Sequence, residues 1–329
     1  MRKANLVVIG AGNIGLAHIA AVAGLENTNL YGICDTRPVG EEVAGQYNTR
    51  YFRSVDEVCA DPDVDGAVVC VPDAFHKDVC IQLGKAGKHV LVEKPIAPTV
   101  KEAEEMLEVF KENNAFLGVA QCTAFIAPNV VGRQDYQAGK IGEAVHFSVR
   151  HQVDWGCGFD VKDRAHVMFY IGIHDLFSIM YITGLRVKTV YSKAVSKIMG
   201  DAHDGIATVF TMDNGATGCL EVGWYICPPH LPDIMEFEIF GTKGTLINDY
   251  KKAGLRICDS NMAKNRDLYY LYASDYGLRG SLAEEVRSFA ECIFDRDRKY
   301  EVDNELAVYC VKVIEAIFRS VETGQEIEI

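Results

Sequence analysis

The sequence predicts an α/β protein in two parts: a doubly wound parallel sheet, then an α+β part on an open, mostly antiparallel sheet. Three observations carry this. Over the first 120 residues, short β-branched runs alternate with amphipathic stretches of helical length, the rhythm of βαβ units covered on both faces. From about residue 144 the apolar runs lengthen and follow one another with few helices between them, which favours antiparallel pairing. The first strand also runs straight into a glycine-rich loop that opens a helix, Gly10-Ala11-Gly12-Asn13-Ile14-Gly15. The 329 residues allow two domains of ordinary size, expected at 1–120 and 121–329.

Taken in order, Ala4–Ile9 reads as a strand, Asn13–Ala23 as a helix and Leu30–Cys34 as a second strand. Ser54-Val55-Asp56-Glu57 and Thr99-Val100-Lys101-Glu102 are capping boxes, in which the hydroxyl and the acid satisfy amides left open at a helix start. Strands are expected at Gly66–Val71, His89–Val92 and Phe116–Ala120. In the second part, strands are expected at Ala144–Val153, Val187–Val195, Gly205–Met212, Thr217–Tyr225 and Ile234–Phe240. Asp213-Asn214-Gly215 should join two of them, because Asn-Gly tolerates the positive φ angles of hairpin turns. One helical run, His166 to about Thr183, interrupts the strands, and residues 304–321 form a strongly amphipathic last helix. No internal repeat or Pro/Gly-rich linker is present.

Composition narrows the function classes. A formal net charge of -13 repels polyphosphate surfaces, so nucleic acid and anionic membrane are not expected as partners. Eleven cysteines, an odd number with no C-x-x-C pair, lie partly inside apolar runs such as Gly66–Val71. Free thiols in a reducing compartment account for this better than a disulfide framework. The apolar run Leu6–Ile9 is too short for a signal-peptide core, and no run is long enough to span a bilayer. A cytoplasmic protein is expected. No H-E-x-x-H, G-x-S-x-G or zinc-site spacing occurs, and no metal is expected.

The glycine loop fits G-x-G-x-x-G between a strand and a helix. Its first glycine (Gly10) permits a tight turn, its second (Gly12) lets the backbone approach a pyrophosphate, and its third (Gly15) lets helix and strand pack closely. The amides of Asn13 and Ile14 would face the phosphates. Asp35 follows 20 residues later at the end of the second strand, where an acid accepts hydrogen bonds from a ribose 2′-hydroxyl and repels a 2′-phosphate. NAD is therefore expected over NADP, although Arg37 could instead meet a 2′-phosphate.

Two further elements follow: Cys70-Val71-Pro72-Asp73-Ala74-Phe75-His76 after the third long strand, and Glu93-Lys94-Pro95 after the fourth. The second half adds Tyr170-Ile171-Gly172-Ile173-His174-Asp175, Gly241-Thr242-Lys243-Gly244 and Glu315–Ser320. In this order the chain resembles the glucose–fructose oxidoreductase/inositol dehydrogenase/rhizopine-catabolism (Gfo/Idh/MocA) oxidoreductase family over nearly its whole length. The resemblance implies a Rossmann domain and a mixed-sheet substrate domain, with the last helix packing back on the first domain. It implies a cofactor site that adds Thr36, Val71, Pro72, His76, Glu93, Lys94 and Gln121 to the loop and Asp35. It also implies a dimer or tetramer, a cis Lys94–Pro95 bond, and Lys94 and His174 as catalytic residues.

Moving a hydride from a CH–OH carbon to nicotinamide needs a base for the hydroxyl proton and a donor for the developing alkoxide. Lys94 at a parallel strand's C-terminal end, near a cationic ring and partly buried, would have its pKa lowered. His174 lies in an apolar helical stretch. The residues alone allow a core histidine, and the resemblance makes it the acid/base. Relatives usually carry an acid four residues earlier, where this chain has Tyr170, whose phenol stays neutral: either Tyr170 is a substrate contact beside a Lys94–His174 dyad, or the chemistry differs. Relatives also commonly carry an arginine before Phe125, where this chain has Ala124, which argues against an anionic substrate group there. Trp155, Arg164 and Trp224-Tyr225 suit either a sugar ring or the packing edge of a sheet. The expected activity is hydride transfer between nicotinamide and a secondary alcohol of a sugar, polyol, glycoside or sugar nucleotide. Two alternatives remain: transient oxidation by tightly held NAD, and a non-catalytic dinucleotide sensor, against which the presence of both Lys94 and His174 argues.

Overall fold

The strand β1 (Ala4–Ile9) is buried almost throughout, as its unbroken apolar run requires, because a strand covered on both faces has no solvent side. This computed structural model describes residues 2–200, 202–227, 233–249, 255–258, 263–266, 269–275 and 277–329. The chain forms two units, Met1–Ile126 with Leu268–Val308, and Ala127–Asp267 with Tyr309–Ile329.

In the first unit β1 leads through α1 (Asn13–Gly24), β2 (Thr28–Cys34), α2 (Val39–Gln46), β3 (Arg50–Phe52) and α3 (Val55–Ala60) to β4 (Gly66–Val69). Then come α4 (His76–Lys85), β5 (His89–Glu93), α5 (Val100–Glu112) and β6 (Leu117–Ala120). The six strands are parallel in the order β3-β2-β1-β4-β5-β6. Strand order reverses between β1 and β4, so their C-terminal ends flank the crevice in which such sheets take ligands. Leu6, Val7, Val8, Val68 and Leu91 are wholly buried, each worth about 1.5–3 kcal/mol relative to exposure. Both capping boxes open their helices: Ser54 Oγ accepts from Glu57 N, and Thr99 Oγ1 accepts from Glu102 N, each at 3.3 Å.

The second unit opens with α6 (Ala127–Gln137), β7 (Ala144–Asp154), α7 (Trp155–Val161) and α8 (Ile173–Thr183). Strands β8 (Val187–Val195), β9 (Gly205–Met212), β10 (Thr217–Ile226), β11 (Ile234–Gly241) and β12 (Thr245–Asp249) follow, then the pair β13 (Leu255–Cys258) and β14 (Ala263–Arg266). The chain returns to the first unit for the hairpin β15 (Tyr272–Ser274) and β16 (Gly277–Arg279) and for α9 (Ser281–Phe294). Helix α10 (Asn304–Thr323) starts in the first unit and ends in the second, which β17 (Ile327–Glu328) completes. Its apolar positions Leu306, Cys310, Val313, Ile314 and Ile317 are buried, the stripe expected of an amphipathic helix. The large sheet runs β12-β11-β7-β10-β9-β8-β17, antiparallel except for β7 beside β10. Phe147, Phe210, Leu220, Val222 and Ile239 fill its covered face. The other face alternates outward, with Tyr191, Val209 and Ile247 exposed. The expected α/β class with a parallel and a mostly antiparallel sheet is what the chain forms.

Three local readings need correction. The stretch after Asp154, where the sequence marks no helix, contains α7, which Asp154 caps by accepting from Cys157 N at 3.0 Å. The weak helix formers Gly156 and Gly158 hide it in the sequence. The helical run from His166 is not uniform: residues 168–172 form a π turn, with Ile173 N bonding to Met168 O, before α8 begins. Asp213-Asn214-Gly215 does join β9 to β10 in a hairpin, but only Gly215 takes a positive φ (+88°). Asn214 instead accepts from Ala216 N through its side chain, giving a longer loop than a two-residue Asn-Gly turn.

Candidate active site

In the first unit the glycine loop leaves β1 through a turn that only glycine suits. Gly10 has φ +99°, and a Cβ there would lie 2.8 Å from Cys70 O. A Cβ on Gly15 would lie 1.9 Å from Gly10 O, whereas one on Gly12 would meet nothing within 4 Å. Gly12 is thus the open side of the cradle. It caps α1 without a side-chain hydrogen bond, so no capping side chain occupies the first-turn amides around Asn13 and Ile14, which would suit an anion. These residues fit a dinucleotide pyrophosphate.

Asp35 is buried and tied into this loop. It accepts from Ala11 N (2.7 Å) and from Arg37 through N (2.8 Å), Nε (3.0 Å) and Nη2 (2.7 Å). Burial pushes its pKa up, but the Arg37 guanidinium and the Ala11 amide outweigh it and hold the carboxyl down at about 2. Arg37 and Thr36 are exposed beside it.

Lys94 follows the last residue of β5 and is half-buried. Its bond to Pro95 is cis, as expected. Burial lowers its pKa, against the opposing pull of Glu93, Cys122 and Asp73. Glu93 is buried: Oε1 accepts from His18 Nε2 (2.8 Å), and Oε2 accepts from Lys94 N (3.1 Å). His76 is buried with Nδ1 2.8 Å from Pro95 O and Nε2 3.0 Å from Val71 O. It therefore pins the segment after β4 to the segment after Lys94. Gln121 is buried and donates to Thr123 Oγ1 (3.0 Å). Val71 is half-buried and Pro72 exposed. The unit thus brings Gly10–Gly15, Asp35, Val71, Glu93, Lys94 and Gln121 to one edge of the sheet, the C-terminal one.

In the second unit Tyr170 sits in the π turn and His174 in the first turn of α8, both half-buried. Single π turns recur at functional positions. The Tyr170 ring lies 5.3 Å from that of Trp224, which is buried. Its hydroxyl accepts from the Cys157 thiol at 3.6 Å, and burial pushes its pKa up to about 12. Gly158 lets α7 lie close on Trp224, where a Cβ would come within 2.8 Å. Trp155 is half-buried on α7 and Arg164 exposed beyond it, with its charge felt at Tyr170. Asp175 turns away from His174 into the interior, 2.9 Å from His151 Nδ1. Cys157, His151, His18 and Glu285 were not singled out in the sequence, where no motif or spacing marks them. Among the described residues no three His, Cys, Asp or Glu side chains are placed to hold a metal ion.

Residues 4–121 match the oxidoreductase family with an NAD-binding Rossmann fold, GFO/IDH/MocA, and residues 133–247 match the GFO/IDH/MocA C-terminal domain. The inositol 2-dehydrogenase of Rhizobium meliloti is 24% identical over 98% of each chain. Among solved structures, GenD2 from gentamicin A biosynthesis, in complex with NAD, superposes with a TM-score of 0.86 at 21% identity, over 100% of this chain and 97% of that one. The aldose-aldose oxidoreductase of Caulobacter crescentus superposes with a TM-score of 0.83 at 21% identity over 100% of both. At these identities the structures establish the fold. With a cradle shaped for a dinucleotide on its parallel sheet, and with both family domains matched in order along the chain, this protein is a member of the Gfo/Idh/MocA family of NAD-binding oxidoreductases.

Proposed function

We propose that the protein is an NAD-dependent dehydrogenase or reductase acting on a secondary alcohol of a sugar, polyol, glycoside or sugar nucleotide. The observation that carries this is Lys94, a half-buried lysine of lowered pKa at the C-terminal end of β5 in an NAD-binding unit. NAD supplies the hydride acceptor. Gly10, Gly12, Asn13, Ile14 and Gly15 would hold its pyrophosphate and Asp35 its adenosine ribose, with Thr36, Arg37, Val71, Pro72, His76 and Gln121 framing the cofactor. His174 takes the hydroxyl proton, and Lys94 stabilises the oxygen that loses it. Tyr170, Trp155 and Arg164 contact the substrate, an aromatic and hydrogen-bonding set suited to a ring of hydroxyls. The inositol dehydrogenase among the relatives favours a polyol.

The test is a screen of polyols, sugars and sugar nucleotides with NAD and NADP, following reduced cofactor by absorbance. Reduction of NAD by a polyol or sugar is expected, and none with any of them would overturn the reading. Substrate conversion without net reduced cofactor would replace it with transient oxidation. The outward face of the large sheet, with Tyr191, Val209 and Ile247 exposed, supports a homo-oligomer, which sedimentation velocity would detect. The ten cysteines whose side chains are described are free thiols, in support of a reducing, cytoplasmic setting. No helix among the described residues is long and apolar enough to cross a membrane.

A further inference from the structure

Behind His174 lies a chain of polar side chains that the proposed chemistry does not use. Helix α8 packs on α6, and β12 meets both: a Cβ added to Gly132 of α6 would lie 3.0 Å from Leu246 of β12 and 3.7 Å from Ile182 of α8. Beside these apolar contacts sit Asn129 on α6, Ser178 on α8 and Asn248 on β12, all buried. Ser178 Oγ donates to His174 O at 2.6 Å. Asn129 Nδ2 donates to Ser178 Oγ at 3.0 Å, and Asn248 Nδ2 donates to Asn129 Oδ1 at 3.1 Å.

The carbonyl at the end dictates the direction of the whole chain. A carbonyl oxygen only accepts, so the single hydroxyl proton of Ser178 goes to His174, and Ser178 must accept from Asn129. The Asn129 amide then turns its oxygen to β12, where Asn248 must donate. All three bonds point the same way, so each polarises the next. An α-helical carbonyl ordinarily takes the amide four residues on, and a serine hydroxyl bonding back to it adds a second donor and tends to bend the helix. In this chain the added bond falls in the first turn of α8, directly after the π turn. Apolar packing holds α6, α8 and β12 together without direction, whereas hydrogen bonds fix an orientation.

We propose that Asn248, Asn129 and Ser178 are positioning residues for His174: the relay holds the peptide from which the histidine ring springs at one rotation of α8 against the large sheet. This deepens the proposed function and rests on it for the role of His174. The neighbouring Asp175 is tied to the same sheet through His151 of β7, at 2.9 Å. The first turn of α8 is therefore held at two successive residues, which point about 100° apart. Cutting the relay displaces that turn without releasing it, and a displacement of about 1 Å at a reacting group costs up to about 10²-fold in rate.

The experiment uses the full chain. With ¹³C in histidine carbonyls and ¹⁵N in aspartate amides, two His–Asp peptides give NMR signals, His174–Asp175 and His203–Asp204. Ser178→Ala should move the His174 carbonyl carbon upfield, and Asn248→Leu should move it the same way by less, with His203 unmoved as the internal reference. In turnover, Ser178→Ala should lower kcat by about 10–100-fold and leave NAD affinity unchanged. Asn248→Leu should lower kcat less. The double variant should be no slower than Ser178→Ala alone, because cutting the last link already disconnects Asn248. An unmoved His174 signal in Ser178→Ala overturns the relay. Wild-type kcat in Ser178→Ala, or losses that multiply in the double variant, overturns the positioning role. If Asn248→Leu does not fold, the Ser178→Ala measurements decide alone. Near-wild-type turnover by His174→Ala would overturn the proposed role of His174 and leave the carbonyl shift in place, so the two failures are distinguishable.

Discussion

At the residue scale, the candidate site residues with a local sequence context could be singled out and those without one could not. Lys94 stands at the C-terminal end of a parallel strand, where such sheets take ligands, within the Glu93-Lys94-Pro95 run that carries the family resemblance. Lys94→Ala should lower kcat by about 10²–10⁴-fold and leave NAD affinity within a few-fold, as isothermal calorimetry would show, because Asp35 and the glycine loop hold the far end of the cofactor. Asp35 was legible from its distance to Gly15, but its neutralisation by Arg37 was not, since only the fold turns the guanidinium back. With its pKa near 2, Asp35 is ionised at every working pH, so NADP should bind about a hundredfold more weakly than NAD. Equal affinities by calorimetry would make Arg37 the specificity residue. The depressed pKa also fixes a sign. The stability Asp35 contributes is present above about 3.8, its ordinary value, and is lost as pH falls through about 2. His174→Ala should cost about 10²–10⁴-fold in kcat, whereas Tyr170→Phe, losing one neutral hydrogen bond of about 0.5–1.5 kcal/mol, should chiefly raise KM. A phenylalanine variant as impaired as the alanine one would place the phenol in the proton path.

At the element scale, periodicity revealed the regular pieces and missed the irregular ones that carry the proposed substrate contacts. Strands β8 and β9 match their expected bounds, because alternation with one buried face is a strong signal. Helix α7 was hidden because its two glycines serve packing: Gly158 admits Trp224, and only the folded unit shows what it admits. Removing the α7 cap by Asp154→Ala should cost about 1 kcal/mol, seen in urea denaturation, together with a higher KM because α7 carries Trp155 and Cys157. Gly158→Ala should be worse than its small volume suggests, since the added methyl would sit 2.8 Å from Trp224. Steady-state KM and the melting temperature would both report it. The π turn at 168–172 is the other unread feature. No residue type announces it, because it arises from how the chain between α7 and α8 must fit, not from local propensity.

At the scale of the whole molecule, burial of titratable groups ties stability to pH in a direction opposite to that of Asp35. Glu285 has a raised folded pKa, so the native state holds a proton that the unfolded chain releases above about pH 4.3. Wild-type stability should therefore decline on this account as pH rises from there, and Glu285→Gln should gain stability relative to it between pH 4 and 8. Urea denaturation at a series of pH values measures this, and a pH-independent difference would show that the acid is not held neutral. The two-part architecture was legible from the change of texture near residue 144. The return of the last helix to the first unit was implied by the resemblance, but the placing of 268–303 there was not, because nothing local in that stretch says where it packs. This discontinuity bears on how the protein is made. Helix α9, which packs on α1 and β5, is translated only after some 150 residues of the second unit and its surroundings have left the ribosome. At about 5–20 residues per second that is roughly 8–30 s. Throughout that interval the nascent parallel sheet has an uncovered side where α9 will dock, so the emerging chain should be a client for holdase chaperones, and the nucleotide cradle should become competent only near the end of synthesis.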